Sequence, residues 1–218
     1  MKILVIDVGG TNVKIIATGR RTRAKFPSGP KMTARQMVEK VCAATVGWQY
    51  DAVSIGCPGP VVQGVIKVEP VNLGGGWVNF DFKKAFGRPV KVINDAAMQA
   101  LGSYEGGQML FIGLGTGLGA ALVTHHGNVL PLELAHLPYK NGLTYEEYLG
   151  AAGLKRLGRK KWRKHVETVI AMFKFALQAD YVVLGGGNAR LIKQLPPDTR
   201  LGENANAFRG GFRLWQKS

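Results

Sequence analysis

Apolar and polar positions follow two rhythms along this chain. Short apolar runs bounded by glycine predict buried strands, and three-to-four spacing between them predicts helices. The first run, Ile3-Leu4-Val5-Ile6, meets Asp7-Val8-Gly9-Gly10-Thr11 and resumes over Val13 to Thr18 as a hairpin. The pattern then recurs: Lys2 to Thr18 lies without a gap over Gln108 to Thr124. Leu4/Leu110, Ile6/Ile112, Gly9/Gly115 and Thr18/Thr124 coincide. Each copy reads apolar strand, small-residue turn, apolar strand. Glycine permits positive φ and exposes successive backbone N–H groups, which makes such a turn a concave anion site. Two of them predict two lobes that grip a polyphosphate, and so phosphoryl transfer.

Between and beyond the hairpins the same reasoning sets the other elements. Gly19 to Pro30 is a basic loop or short strand, and Thr33-Ala34-Arg35-Gln36 is a capping box opening a helix to about Val46. Ala52 to Ile55 predicts a strand ending in Gly56-Cys57-Pro58-Gly59-Pro60, and Val61 to Val68 a strand pair. After the loop Asn72 to Trp77 come a short helix, Asp81 to Phe86, and a strand, Val90 to Ile93. That strand stops at Asn94-Asp95, where a helix to about Tyr104 begins. Val129 to Leu132 is a further strand. Trp162, Val166, Val169, Phe173 and Leu177 recur at helical spacing. Tyr181 to Leu184 runs as a strand into Gly185-Gly186-Gly187, with a helix from about Asn188 and a last one, Asn204 to Trp215, interrupted at Gly210-Gly211. Strands alternating with helices give an α/β class. No low-complexity linker separates the halves, so a tight hinge is expected near residue 95.

Composition narrows the function classes. The chain has 218 residues, enough for two small lobes with a shared chain path, and an ordinary apolar fraction. No apolar run approaches the roughly 20 residues that span a bilayer, so no membrane partner is expected. The opening Met1-Lys2-Ile3-Leu4 reads as the edge of a buried strand rather than a signal peptide. Cys42 and Cys57 stand far apart without a CxxC pair, which excludes a disulfide framework and a zinc knuckle and suits a reducing cytoplasm. The unusual quantity is charge: Lys+Arg of 29 against Asp+Glu of 14, net +15. A polyanionic partner follows, either nucleic acid or a polyphosphate or nucleotide.

Candidate chemistry gathers at the element ends. Asp7 stands beside the first glycine turn, where it either caps the hairpin or faces Mg²⁺ through water, since Mg²⁺ keeps much of its hydration. Gly113-Leu114-Gly115-Thr116-Gly117-Leu118-Gly119 lacks the Lys-Ser/Thr of a Walker loop and the spacing of a dinucleotide fingerprint. Asp95 either caps its helix or reaches a substrate hydroxyl as general base. Glu133 and His136, followed by Glu146, are groups able to hold sugar hydroxyls. Arg20, Arg21, Arg23 and Lys25 form one basic run, and Lys155, Arg156, Arg159, Lys160, Lys161, Arg163 and Lys164 another. Each is either a solvated face or part of a track for an extended polyanion. Without interleaved aromatic residues, single-stranded nucleic acid is disfavoured.

Taken together, these motifs resemble the ROK family of sugar kinases, with the polyphosphate glucokinase branch as the nearest pattern. The likeness runs over Asp7 to Thr11, Pro58-Gly59, Asn72-Leu73 with Trp77, Asn94-Asp95, Gly115 to Gly119, Glu133 with His136, Glu146, Gly185 to Gly187 and the tail Asn206 to Phe212. It implies an actin-like, ribonuclease-H-like fold of two lobes closing over a hexose, residues 1–94 and 95–203, with a C-terminal helix over about 204–218 returning to the first. It implies Asp95 as the base for the glucose 6-hydroxyl. Asn72, Asn94, Glu133, His136 and Glu146 would hold the sugar. Gly9, Gly10, Thr11, Lys14, Gly115, Thr116 and Gly117 would hold the donor phosphates, with Mg²⁺ near Asp7. Gly185, Gly186 and Gly187 would border the adenosine of ATP. A homodimer is implied as well.

The chain also departs from the family pattern. The cysteine-rich zinc motif is absent, so packing must hold the His136 region. No helix-turn-helix precedes Met1, which removes a repressor reading. Ala135 stands where the family usually has glycine, and the chain is short between Leu130 and Thr144. A glucokinase using polyphosphate or ATP is the first reading. A non-catalytic sugar- or polyanion-binding protein on the same scaffold is the second, since fold does not guarantee function. Nucleic-acid binding rests on charge alone and ranks last.

Overall fold

The structure, a computed structural model, describes residues 1–203 and 205–216. The chain divides into two compact units, one of residues 1–98 with 207–218 and one of residues 99–206. The division falls inside a helix, between Met98 and Gln99, a little beyond the expected residue 95.

In the first unit, β1 (Ile3–Val8) lies at the centre of a five-stranded sheet. It pairs antiparallel with β2 (Asn12–Ala17), which pairs with β3 (Ala24–Pro27). After α1 (Ala34–Ala44), β4 (Ala52–Cys57) adds parallel to the other side of β1. Thr33 and Gln36 close the expected capping box reciprocally. The ribbon of β5 (Val61–Val62) and β6 (Val65–Ile66) and the short α2 (Phe82–Phe86) follow. Then β7 (Val90–Asn94) completes the sheet parallel to β4, and α3 (Asp95–Ser103) starts without a linker.

Side chains alternate across a strand, so β1 feeds two cores. Leu4, Ile6 and Val8 pack with Met37 and Val41 of α1, Trp77 and Phe82. Ile3 and Val5 pack with Met98, Ala207 and Phe208 on the opposite face. Asp7 falls in the second set by period and is the one polar residue of the strand.

The second unit repeats the order of the first. Its sheet is built on β8 (Met109–Leu114), antiparallel to β9 (Leu118–Val123), which pairs with β10 (Val129–Leu132). A small hairpin of β11 (Pro138–Lys140) and β12 (Leu143–Thr144) leads into α4 (Tyr145–Leu149). The long α5 (Ala151–Ala176) buries Trp162, Val166, Val169, Ile170 and Phe173 on one face, against Leu110, Ile112 and Leu114. β13 (Tyr181–Gly185) and β14 (Thr199–Leu201) add parallel to β8. The chain ends with α6 (Asn206–Arg213), whose residues from Ala207 on belong to the first unit.

Several expectations are corrected. The two hairpins are equal in strand position but not in register: Leu4 faces Ala17, whereas its counterpart Leu110 faces Leu122. The pairing next to the turn differs by one residue: Val8 faces Val13, whereas Leu114 faces Leu118, the counterpart of Asn12. The helix expected from Asn188 is a single 3-10 turn, Ala189–Leu191; Ile192 is already extended, and Pro196-Pro197 forbid a helix just beyond. α5 is broken at Gly158, whose φ of 70° and ψ of 159° are open only to glycine. The basic run of 155–164 is therefore split between two helical segments.

The last helix was expected to be interrupted at Gly210-Gly211, but α6 passes through both. Gly211 serves close packing instead. A Cβ there would lie 2.2 Å from Val5 Cγ1, and its carbonyl accepts a hydrogen bond from Ser54 Oγ at 2.6 Å. The expected start at Asn204 and residues 217–218 lie outside the described residues, and α6 ends at Arg213, short of the expected Trp215.

Gly211→Ala therefore sets two effects against each other. Alanine gains about 1 kcal/mol of helix propensity, while overpacking a core costs about 1–3 kcal/mol. Val5 sits on the central strand and has no room to yield. A net loss of about 1–2 kcal/mol is expected in urea denaturation; a stabilised variant would contradict this packing.

Candidate active site

The parallel strands of the first sheet end together, and the polar residues stand at those ends. Asp7, Gly56 and Ile93 share one line across β1, β4 and β7 by register. Asp95 follows two residues after Ile93, so it lies on the order of 10 Å from Asp7, two strand spacings away. Ligands of open α/β sheets bind outside such carboxyl ends.

Asp7 is largely buried and faces Lys14 on β2, with Oδ2 3.2 Å from Nζ. Lys14 in turn faces Lys25 on β3, so an anion here meets two cations in line. The turn itself is closed by a hydrogen bond from Gly9 N–H to the Asn12 carbonyl at 3.0 Å. Ser28 holds it from outside: its N–H donates to Thr11 O at 3.0 Å and its hydroxyl to Gly9 O. Asn72, distant in sequence, is brought onto the turn; a Cβ on Gly10 would be 2.9 Å from Asn72 Cβ.

Asn94 and Asp95 divide the labour at the start of α3. Asn94 is buried, accepts the Ala97 N–H at 3.0 Å and donates to Gly59 O at 3.1 Å. It thus caps the helix and anchors the Pro58-Gly59-Pro60 turn. Asp95 is only partly buried, and its Oδ1 accepts the Ala96 N–H at 2.8 Å, which fixes the carboxylate at the strand end. Burial, then the charges of Asp95 and Glu69, push the neighbouring Cys57 thiol far up, so it stays protonated and inert.

The second unit has its own cluster. Gly115 N–H donates to Gly117 O at 3.1 Å, closing the three-residue turn. Glu146 on α4 lies against it: Oε2 accepts the Leu118 N–H at 3.0 Å, and a Cβ on Gly117 would come 2.2 Å from that oxygen. On the other side Asn188 donates through Nδ2 to Gly115 O at 3.1 Å and through its N–H to Leu114 O at 2.9 Å. Gly186, at φ 80°, presses on β8, where a Cβ would be 2.4 Å from Leu114 O. The triplet Gly185 to Gly187 and the turn Gly115 to Gly117 are therefore neighbours. Glu133 and His136 flank the buried Ala135, with His136 Nε2 3.8 Å from Glu133 Oε2 and both side chains well exposed.

One sequence argument is revised. None of Gly9, Gly10, Gly115 and Gly117 adopts the left-handed region. At Gly10 and Gly117 glycine is required because another side chain occupies the space of a Cβ. Ser28 and Asn188 were not singled out from sequence; a polar residue directly after the glycine triplet was the available signal for Asn188.

A family profile described as the ROK family matches residues 3–130. The chain belongs to the ROK family. Among curated relatives, the polyphosphate glucokinase of Mycobacterium tuberculosis (strain CDC 1551 / Oshkosh) is 26% identical over 211 residues, covering 85% of this chain and 77% of its own length. The N-acetylmannosamine kinase of Vibrio vulnificus (strain CMCP6) is 30% identical over 141 residues, or 56% of this chain and 47% of that protein. Among solved structures, the inorganic polyphosphate/ATP-glucomannokinase of Arthrobacter sp. strain KM superposes with a TM-score of 0.82 at 24% identity, covering 96% of each chain. The fold is the actin-like, ribonuclease-H-like fold of these ROK kinases.

The segment after His136 is held by aromatic packing. Tyr139 of β11 stacks on Tyr145 at 4.8 Å and meets Tyr148 and His165 edge-on at 5.0 and 5.7 Å. The Tyr139 hydroxyl lies 3.0 Å from His165 Nδ1. Burial, then Lys140 and Arg156, hold His165 below the ordinary imidazole value. A group whose folded value is depressed is neutral in the fold, and the unfolded chain takes up the proton first, near pH 6.5. Its contribution is complete above that pH and lost as pH falls through it. The urea midpoint of the wild type is expected to drop further between pH 7.5 and 5.5 than that of His165→Gln; equal drops would remove His165 from the account.

Proposed function

We propose that this protein is a hexokinase-type phosphotransferase that moves a phosphoryl group from inorganic polyphosphate or ATP to the 6-hydroxyl of glucose. The observation that carries this reading is the placing of Asp95. Its carboxylate is fixed by the Ala96 N–H at a strand end, on the sheet edge that also holds Asp7 and the first glycine turn. In the proposed reaction Asp95 takes the proton of the sugar hydroxyl as the oxygen attacks the terminal phosphorus, and the shortened donor leaves with the electron pair of the broken P–O bond. Gly9, Gly10, Thr11 and Lys14 in one unit, and Gly115, Thr116 and Gly117 in the other, would bind donor phosphates. Asn72, Asn94, Glu133, His136 and Glu146 would bind the sugar. Gly185 to Gly187 would border a nucleotide. Most of the catalysis is then positioning and charge stabilisation.

The family chemistry implies Mg²⁺. Among the described residues no three His, Cys, Asp or Glu side chains gather as a metal cage. Asp7 is one carboxylate beside a glycine turn, which fits an ion that keeps its water and arrives on substrate phosphates. Such an ion neutralises phosphate charge when bound, and Asp7 would hold it in place.

The test is Mg²⁺-dependent formation of the hexose 6-phosphate, run with polyphosphate and with ATP. Glucose, mannose and N-acetylmannosamine should be compared, because the relatives' names include all three sugars. Asp95→Asn is expected to lower kcat at least about hundredfold, the range of a general base, while glucose binding by calorimetry persists. Unchanged turnover would sink the catalytic assignment. No product with any donor and sugar would favour a binding protein on this scaffold. A homodimer in the cytoplasm, without nucleic acid as partner, completes the proposal.

The net charge of +15 supports polyphosphate as donor, because a long anion gains from cations beyond the reacting end. Arg159, Lys160, Lys161 and Lys164 are exposed on the segment of α5 after Gly158. Replacing Lys160, Lys161 and Lys164 with glutamine is expected to raise the polyphosphate KM several-fold and flatten its salt dependence, with the ATP KM unmoved. Equal effects on both donors would end the track idea.

A further inference from the structure

The loop between β6 and α2 carries Asn72 and is closed at its neck by one carboxylate. Glu69 Oε1 accepts the Gly76 N–H at 3.0 Å and the Val78 N–H at 3.4 Å, and Oε2 accepts the Trp77 N–H at 3.0 Å. Three backbone donors thus converge on a side chain that reaches across the loop. A buried Trp77 and a buried Leu73 anchor the same segment from below. The Trp77 indole N–H donates to Met32 O at 3.1 Å, and the Gly74 N–H donates to the same carbonyl at 2.9 Å. The backbones touch here, since a Cβ on Gly74 would be 2.8 Å from the Lys31 carbonyl carbon. Only a few residues earlier, Ser28 holds Gly9 and Thr11. The loop's far end lays Asn72 on Gly10 of the same turn.

We propose that Glu69 is a positioning residue that fixes Asn72 over the first glycine turn and thereby sets affinity for the hexose. This rests on the reading of Asn72 as a sugar contact. The geometry explains why a carboxylate is needed at position 69. An ionised carboxylate only accepts, and offers enough lone pairs for three N–H groups. Glutamine would turn an NH₂ toward one of those donors and leave it unsatisfied. Aspartate keeps the charge and the acceptors but is one methylene shorter. Charge-assisted bonds of this kind are stronger than neutral ones, so the loop is held closed before the sugar arrives. Affinity gained in this way comes from lower ordering cost, not from a new contact.

The experiment compares wild type, Glu69→Gln and Glu69→Asp in three readouts: kinetics, glucose binding by calorimetry, and hydrogen exchange of the 70–78 segment. Glu69→Gln is expected to exchange faster across 70–78, with β1 and β4 unchanged, and to raise the glucose KM and Kd about tenfold. Its kcat and the KM for polyphosphate should stay within about twofold. Glu69→Asp should recover part of the glucose affinity. Faster exchange with unaltered glucose affinity would overturn the proposal, as would a parallel loss of all kinetic constants together with exchange throughout the unit. If the wild type phosphorylates no hexose, the kinase reading fails by itself. The calorimetric comparison still decides this one, and a wild type that binds no glucose overturns it too.

Discussion

The central strands β1 and β8 are almost wholly buried, and this constraint governs where chemistry can stand. A strand covered on both faces admits no unpaired polar side chain along its length. Ile3 to Ile6 are apolar without exception, and the first polar group, Asp7, appears one residue before the strand ends. There it is partnered by Lys14 across the sheet. The parallel neighbour β4 is buried throughout and its one mid-strand polar group, Ser54, is paired with Gly211 O, whereas the edge strand β7 carries the exposed Lys91; Asn94 and Asp95 stand at the carboxyl end of β7. The site is thus a by-product of how the sheet must be buried, with residue choice at a few end positions deciding what it does.

This explains what could be read from sequence. A strand-turn-strand repeat is carried by apolar runs and glycine, and those signals are local, so both hairpins were legible. So was the capping box at Thr33 and Gln36, where the partners are three residues apart. Register was not legible. It depends on which residues pair first across the turn, Val8 with Val13 but Leu114 with Leu118, and that one-residue difference shifts every pair while leaving the ungapped match intact. β14, β11 and β12 are two- and three-residue strands made by pairing alone, which leaves no periodic trace. The glycines misled in two ways. Gly210-Gly211 looked like a helix break and Gly158 did not, because the sequence does not say whether a missing Cβ serves conformation or contact. Gly211 serves contact with Val5, and Gly158 serves conformation.

Charge is a similar case. Net charge was read correctly as unusual, but its disposition depends on tertiary neighbours. Arg20 stacks on Trp48 at 4.2 Å, Arg23 on Phe208 at 4.9 Å and Arg156 on Tyr148 at 5.2 Å. Arg156 also donates to Glu147 O at 2.7 Å. These cations are engaged in holding structure as well as in setting potential, and their long stems cover apolar surface. Of the second basic run, Arg156 is engaged in this way, while Lys160, Lys161 and Lys164 stand exposed after Gly158. The first run contributes most where Lys25 stands beside Lys14, in line with Asp7.

The two glycine turns share a deeper design than sequence similarity. In each, a residue proposed to bind sugar occupies the space of a glycine's absent Cβ: Asn72 at Gly10 and Glu146 at Gly117. An alanine at either position would therefore displace the residue proposed to bind sugar as well as crowd the turn proposed to hold phosphate. Glu146 goes further, since its carboxylate takes the N–H of Leu118 at the turn's exit. That N–H is thereby withdrawn from any anion at the turn. In each unit, then, the proposed sugar contact and the glycine turn share the same few atoms, which is what the proposed reaction, dominated by positioning, would demand. Glu69 and Asn188 belong to that logic: Glu69 ties the loop that carries Asn72, and Asn188 ties the turn at Gly115.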